Sequence, residues 1–158
     1  MKISLHTKMK HSHIIITANM GSLRAYRISE TSVVHRRPGE LIRKIEYEAA
    51  HKKLSDKVSD RQGRFPGSGE AGTPSRGAGE HHHLFEEMKK KAIKQLAHDI
   101  DGIIKHSLAE KIHVALPKII SSDVVAGLSK SSKGRITKTV NADIVKEPVA
   151  DLRARFKI

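Results

Sequence analysis

The 158-residue chain contains no cysteine and no tryptophan, few aromatic residues of any kind, and about half as many acidic as basic side chains. Without cysteine there can be no disulfide framework, no thiol nucleophile and no Cys-ligated zinc or iron-sulfur centre. Aromatics make up 3% of the residues and hydrophobics 37%, so a core has to be assembled from Ile, Leu, Val and Ala. The missing tryptophan also removes one common platform for stacking on bases. No segment approaches the apolar length of a membrane span. The opening MKISLHTKMKHSH is charged but lacks an apolar stretch long enough for a signal peptide, so the expected compartment is the cytoplasm.

What is present in excess is positive charge. Thirty Lys and Arg face seventeen Asp and Glu, a formal charge of +13. A field of that sign favours polyanionic partners, RNA or the ribosome first among them. The basic residues run through most of the chain and are not gathered in one arm. A chain of this length fits one domain, which can bury roughly 70% of the surface its unfolded form exposes. The expected organisation is a basic tail over 1–10 and a single α/β domain over 11–158.

Hydrophobic periodicity supplies the elements. Ile14 to Thr17 is apolar and β-branched, Ser22 to Ile28 alternates, and Asn19-Met20-Gly21 between them is a turn signal, which together predict a β-hairpin. Leu41 to Glu48 predicts a third strand of less clean period. From Ser59 to Gly79 the chain turns to glycine, proline and arginine, with Phe65 as its one large apolar residue, and a mobile Gly-rich loop over 59–80 is expected.

After it, Leu84, Met88, Ala92, Leu96, Ile100 and Ile104 recur at i+4, which predicts a long core-facing amphipathic helix from about His82 to Ser107. Lys89, Lys90, Lys91 and Lys94 are expected on its outer face. Lys111 to Leu116 reads as a buried strand stopped by Pro117, Ser121 to Leu128 as a short helix, Arg135 to Val140 as a last strand, and Pro148 as the start of a terminal helix through Phe156. The fold class implied is α/β: a mixed sheet of about five strands with helices packed on it.

Motifs that carry chemistry fail on context. GSGEAG at Gly67 to Gly72 has the letters of a dinucleotide fingerprint, yet no buried strand precedes it, and Pro74, Gly77 and Gly79 keep the following chain irregular. His81, His82 and His83 are neighbours, and adjacent helical residues point about 100° apart, so the three cannot converge on one ion unaided. His11, His13, His98, His106 and His113 show no ligand spacing, and surface or satisfied histidines are expected. The strand-like segments hold no paired carboxylates for a nuclease metal; Asp99, Asp101 and Asp123 read as solvated or capping residues. No GxSxG or SxxK string marks a serine nucleophile.

The ordering as a whole resembles the bacterial host-attachment protein family. The resemblance rests on IIITANMGSLRAYRI, then Ser59-Asp60-Arg61 with Gly63-Arg64 before the Gly-rich loop, then the long helix, KIHVALPKII and RITKTVNADIVKEPVADLRARF, and it spans the chain from His11 onward. That family is similar to the middle domain of archaeo-eukaryotic class I translation release factors, which implies a related mixed sheet. The chain departs from the family at the hairpin turn, where Asn19 stands in place of the usual Asp. It departs again near the end, where Asn141-Ala142-Asp143-Ile144 replaces the usual Lys-Asp-Leu. It also lacks the Gly-Gly-Gln tripeptide that release factors carry before the long helix, so the resemblance implies a scaffold without its catalytic tip.

The expectation is therefore a non-catalytic basic protein that binds RNA or the ribosome, with Arg61, Arg64 and Arg76 on the loop and Lys89, Lys90, Lys91 and Lys94 on the helix facing phosphates. No catalytic residue, cofactor or metal is expected. The alternatives are a cytoplasmic factor acting indirectly in attachment to host cells, and a hydrolase with a nonstandard site in the loop.

Overall fold

The computed structural model describes residues 12–29, 39–47 and 77–158. In chain order these form β1 (Ser12–Ala18), β2 (Ser22–Ser29), β3 (Glu40–Glu46), α1 (Gly77–His106), β4 (Lys111–Leu116), α2 (Lys118–Gly127), α3 (Lys130–Arg135), β5 (Ile136–Asn141) and α4 (Val149–Phe156). The sheet order is β3-β2-β1-β4-β5. β1 pairs antiparallel with β2 and parallel with β4, and β4 pairs parallel with β5, so the sheet is mixed, as expected.

β1 is the central strand and is buried along its whole length, which is why its sequence is a continuous apolar run and not an alternation. Its even residues Ile14, Ile16 and Ala18 meet Leu23, Ala25, Ile112, Val114 and Leu116 in one core. That core is covered by Leu96, Ala97, Ile100 and Ile104 of α1 and by Ile120 and Val124 of α2. The opposite face, through Ile15, Tyr26, Ile28 and Ala115, is covered by Leu152 and Phe156 of α4 and by Ile144. The α1 and α2 helices come close at Gly127, where an added Cβ would stand 3.0 Å from the Ala97 Cβ.

Several boundaries move from their sequence expectations. The α1 helix begins at Gly77, inside the stretch expected to be loop, because a helix nucleated on a packed C-terminal half extends N-terminally at little further cost even through glycine. The α2 helix starts directly after Pro117 and not at Ser121, since the Pro117 carbonyl accepts from both Ile120 N–H and Ser121 N–H. Arg135 ends the α3 helix and does not open β5. Its guanidinium caps the exit of α1, donating to the carbonyls of Ile104, Ser107 (2.7 Å) and Ala109 (3.1 Å).

The α3 helix itself was not expected, because KSSKGR has no apolar period. The readable signal was the cap: Ser129 Oγ accepts from Ser132 N–H. Asp101 of α1 in turn accepts from the backbone N–H of Ser129 at 2.9 Å and from its hydroxyl at 2.7 Å. Burial opposes the Asp101 charge, but hydrogen bonds from Lys105, Ser132 and Ser129 together outweigh it and hold the carboxyl well below its ordinary range. Asp99 is likewise engaged, accepting from the Tyr47 hydroxyl at 2.8 Å and so pinning the end of β3 to α1.

Candidate functional site

The apolar stripe of α1 expected to face the core along its whole length does so only in part. Leu96, Ala97, Ile100 and Ile104 are buried, whereas Leu84 is 50% and Phe85 47% exposed. Lys90, Lys91 and Lys94 are all exposed, Lys91 and Lys94 on the side away from Leu96 and Ile100 and Lys90, seven residues before the buried Ala97, at the edge of the stripe. Lys89 is a correction: it stands four residues before Ile93 and seven before Leu96, in line with the buried stripe, and is half-buried. Among the described residues no acid pairs with Lys90, Lys91 or Lys94; Glu86 and Glu87, one turn earlier, form no ion pair with them. Arg61, Arg64 and Arg76 lie outside the described residues, as do the Gly67 to Gly72 string and the 1–10 tail.

A second feature lies at the carboxyl ends of the parallel strands, which the sequence did not reveal. The chain leaves β1 towards β2 on one side and leaves β4 through α2 towards β5 on the other, so the connections from the two central strands diverge where the strands end. Such a divergence opens a crevice in α/β sheets. Here it is a cleft of about 470 Å³ between the hairpin turn, the start of α2 and the segment after β5. Asn19 organises its rim. The Asn19 side-chain carbonyl accepts from Gly21 N–H and Ser22 N–H at 2.8 Å each, which builds the turn, while its amide donates to both Asp143 oxygens at 3.1 and 3.2 Å. Two positions 124 residues apart in the chain are thus hydrogen-bonded to each other.

The α4 face of the sheet holds polar groups that the α1 face does not. His13 of β1 and His113 of β4 are both about 5% exposed, stack at 9° between planes, and share a hydrogen bond of 3.0 Å between Nδ1 and Nε2. One ring must donate and the other accept, so the bond does not survive protonation of both. Burial, then the charges of His13, Lys138 and Lys111, pushes the His113 imidazole down to about 4. The Phe156 ring stands 5.1 Å from His113. Against the expectation of satisfied histidines, His113 is only half satisfied: its Nδ1 is buried without a hydrogen-bond partner, and its pairing with His13 across one hundred positions needed the strand register. Among the described residues no group of three or more His, Asp or Glu side chains could hold a metal ion, and no helix is long and apolar enough to cross a membrane.

A sequence family described as a protein required for attachment to host cells matches residues 14–156. The chain belongs to this host-attachment family. The matched span takes in the long helix, the terminal helix and all but the first two residues of the hairpin. No curated protein matches the host-attachment chain. Among solved structures it is similar to S. cerevisiae Dom34, a translation termination-like factor involved in RNA quality control pathways and interacting with Hbs1. The identity is 9% and the TM-score 0.35, with 96% of this chain and 37% of Dom34 covered, so the chain spans little more than a third of that protein's length.

Proposed function

We propose that this member of the host-attachment family binds RNA, free or in the ribosome, without catalysing a reaction on it, and that any part it has in host attachment is exerted indirectly from inside the cell. The observation that supports this reading is the lysine face of α1. Lys90, Lys91 and Lys94 project from a helix whose other face is fixed in the core by Leu96, Ile100 and Ile104, so three charges are held on a rigid element with no acid paired to them among the described residues. Lysines so placed neutralise backbone phosphates and carry no base readout, which makes the expected binding nonspecific in sequence. The arginines Arg61, Arg64 and Arg76 would extend the same contact.

If about four or five phosphates are neutralised, the affinity for single-stranded RNA falls with added salt at a log-log slope of about −3. Filter binding over a salt series measures it, and a flat response overturns the reading. Reversing the charge at Lys90, Lys91 and Lys94 together should weaken binding while the circular dichroism spectrum and thermal midpoint stay put, because all three side chains are exposed.

A further inference from the structure

The cleft between the ends of β1 and β4 has its own electrostatic character, independent of the lysine face. Two of its lining residues, Arg24 and Lys146, are cations with no partner among the described residues. The two acids beside them are already engaged: Asp143 by the Asn19 amide, and Glu46 by Lys44 at 3.1 Å. Arg24 is also held at a cost. Its Nε is cut off from solvent and has no hydrogen-bond acceptor. Behind it the cross-strand neighbour Thr17, fully buried, has a hydroxyl in the same condition. A buried N–H of a guanidinium without an acceptor is destabilising, and an anion beside the guanidinium relieves part of that cost.

The wall formed by α2 adds to this. The helix begins at the cleft with Lys118, follows a Pro117 that offers no side-chain cap, and carries no acid in its first turn. Ile120 N–H and Ser121 N–H bond the Pro117 carbonyl, which leaves the N–H groups of Lys118 and Ile119 for an anion, as the dipole favours. Beside them Ile119 is 72% exposed, and it and Met20 both line the cleft and give it apolar surface. A volume of about 470 Å³ falls within the range of small-ligand sites and exceeds what a bare phosphate needs.

The structure assigns this cleft, we propose, to a phosphate monoester with an apolar or planar body: a mononucleotide, or the 5′-phosphorylated end of an RNA. Arg24, Lys146 and the α2 N-terminus take the phosphate, and Met20 and Ile119 take the body. Asp143 opposes the ligand's charge, so its removal should help binding.

Isothermal titration with AMP, adenosine and a pair of short RNAs differing only in a 5′-phosphate tests this, with RNA binding by the lysine face read separately so that either can fail alone. AMP should bind saturably and adenosine should not. Lys146→Ala, at an exposed position, and Arg24→Gln should each weaken AMP by about ten-fold, the worth of one charge-assisted hydrogen bond. Asp143→Asn should tighten it. If only the 5′-phosphorylated RNA binds, and does so through Arg24 and Lys146, the ligand is the RNA end and the site stands. Equal binding of adenosine and AMP overturns the assignment. So does binding indifferent to both cationic residues, or the absence of binding by any phosphorylated probe at millimolar concentration.

Discussion

The two faces of the sheet are built from the same five strands but to different rules. The face under α1 and α2 is built on an aliphatic cluster, with Ile14, Ile16, Leu23, Val114 and Leu116 against Leu96 and Ile100. The face under α4 mixes Ile15, Ile28 and Leu152 with a buried histidine pair, an unpartnered Thr17 hydroxyl and an Arg24 Nε without an acceptor. Burial without polar atoms is where stability is cheapest to hold, and buried polar atoms are where it can be changed by protons or ligands. The first face therefore acts as the foundation of the domain. The second holds the buried histidine pair, and it ends at the cleft.

The largest effect that would separate the faces comes from the first. Ile100→Ala, at a fully buried site between α1 and the sheet, should cost about 2–5 kcal/mol in urea unfolding, and the loss should be the same at pH 7 and pH 5. A pH-dependent loss there would mean that the faces are coupled and not distinct.

The second effect belongs to the histidine pair. The His113 imidazole is held near 4 when folded against an ordinary value of 6.5. As the pH falls below 6.5 the unfolded chain takes up a proton that the folded one refuses, so stability declines, and the decline levels off below 4. The total is about 3 kcal/mol. Denaturation midpoints measured at pH 7, 5.5 and 4.5 should show it, and His113→Leu should flatten the profile. An unchanged slope in that variant would place the acid sensitivity elsewhere.

The smallest effect sharpens the contrast by removing one polar atom from the second face. Thr17→Val replaces an unpartnered, fully buried hydroxyl by a methyl of similar shape and should stabilise the domain by about 1 kcal/mol. Destabilisation would show that the hydroxyl has a partner in solution.

How much of this could be read beforehand follows the range of each signal. Strand β4 was legible to the residue, because Lys111 to Leu116 is a compact apolar run closed by Pro117. The β1–β2 hairpin was legible because Asn19-Met20-Gly21 is a local turn whose hydrogen bonds involve its own neighbours. The α3 helix was not, since its stability comes from Asp101, a residue 28 positions away. The exposure of Leu84 and Phe85 was not either, because periodicity states that a helix has an apolar face and is silent on how far its cover extends.

The sequence by itself determined the five strands, the helices other than α3, the aliphatic core, the family and the excess of positive charge, since each is set by composition or by neighbours within a few turns. Only the tertiary structure decided which lysines share a face, that His13 meets His113, that Asn19 holds Asp143, and that Arg24 and Lys146 line one cleft. The last three of these join residues one hundred or more positions apart. Their geometry comes from strand order and register, which the pattern of any single segment does not carry.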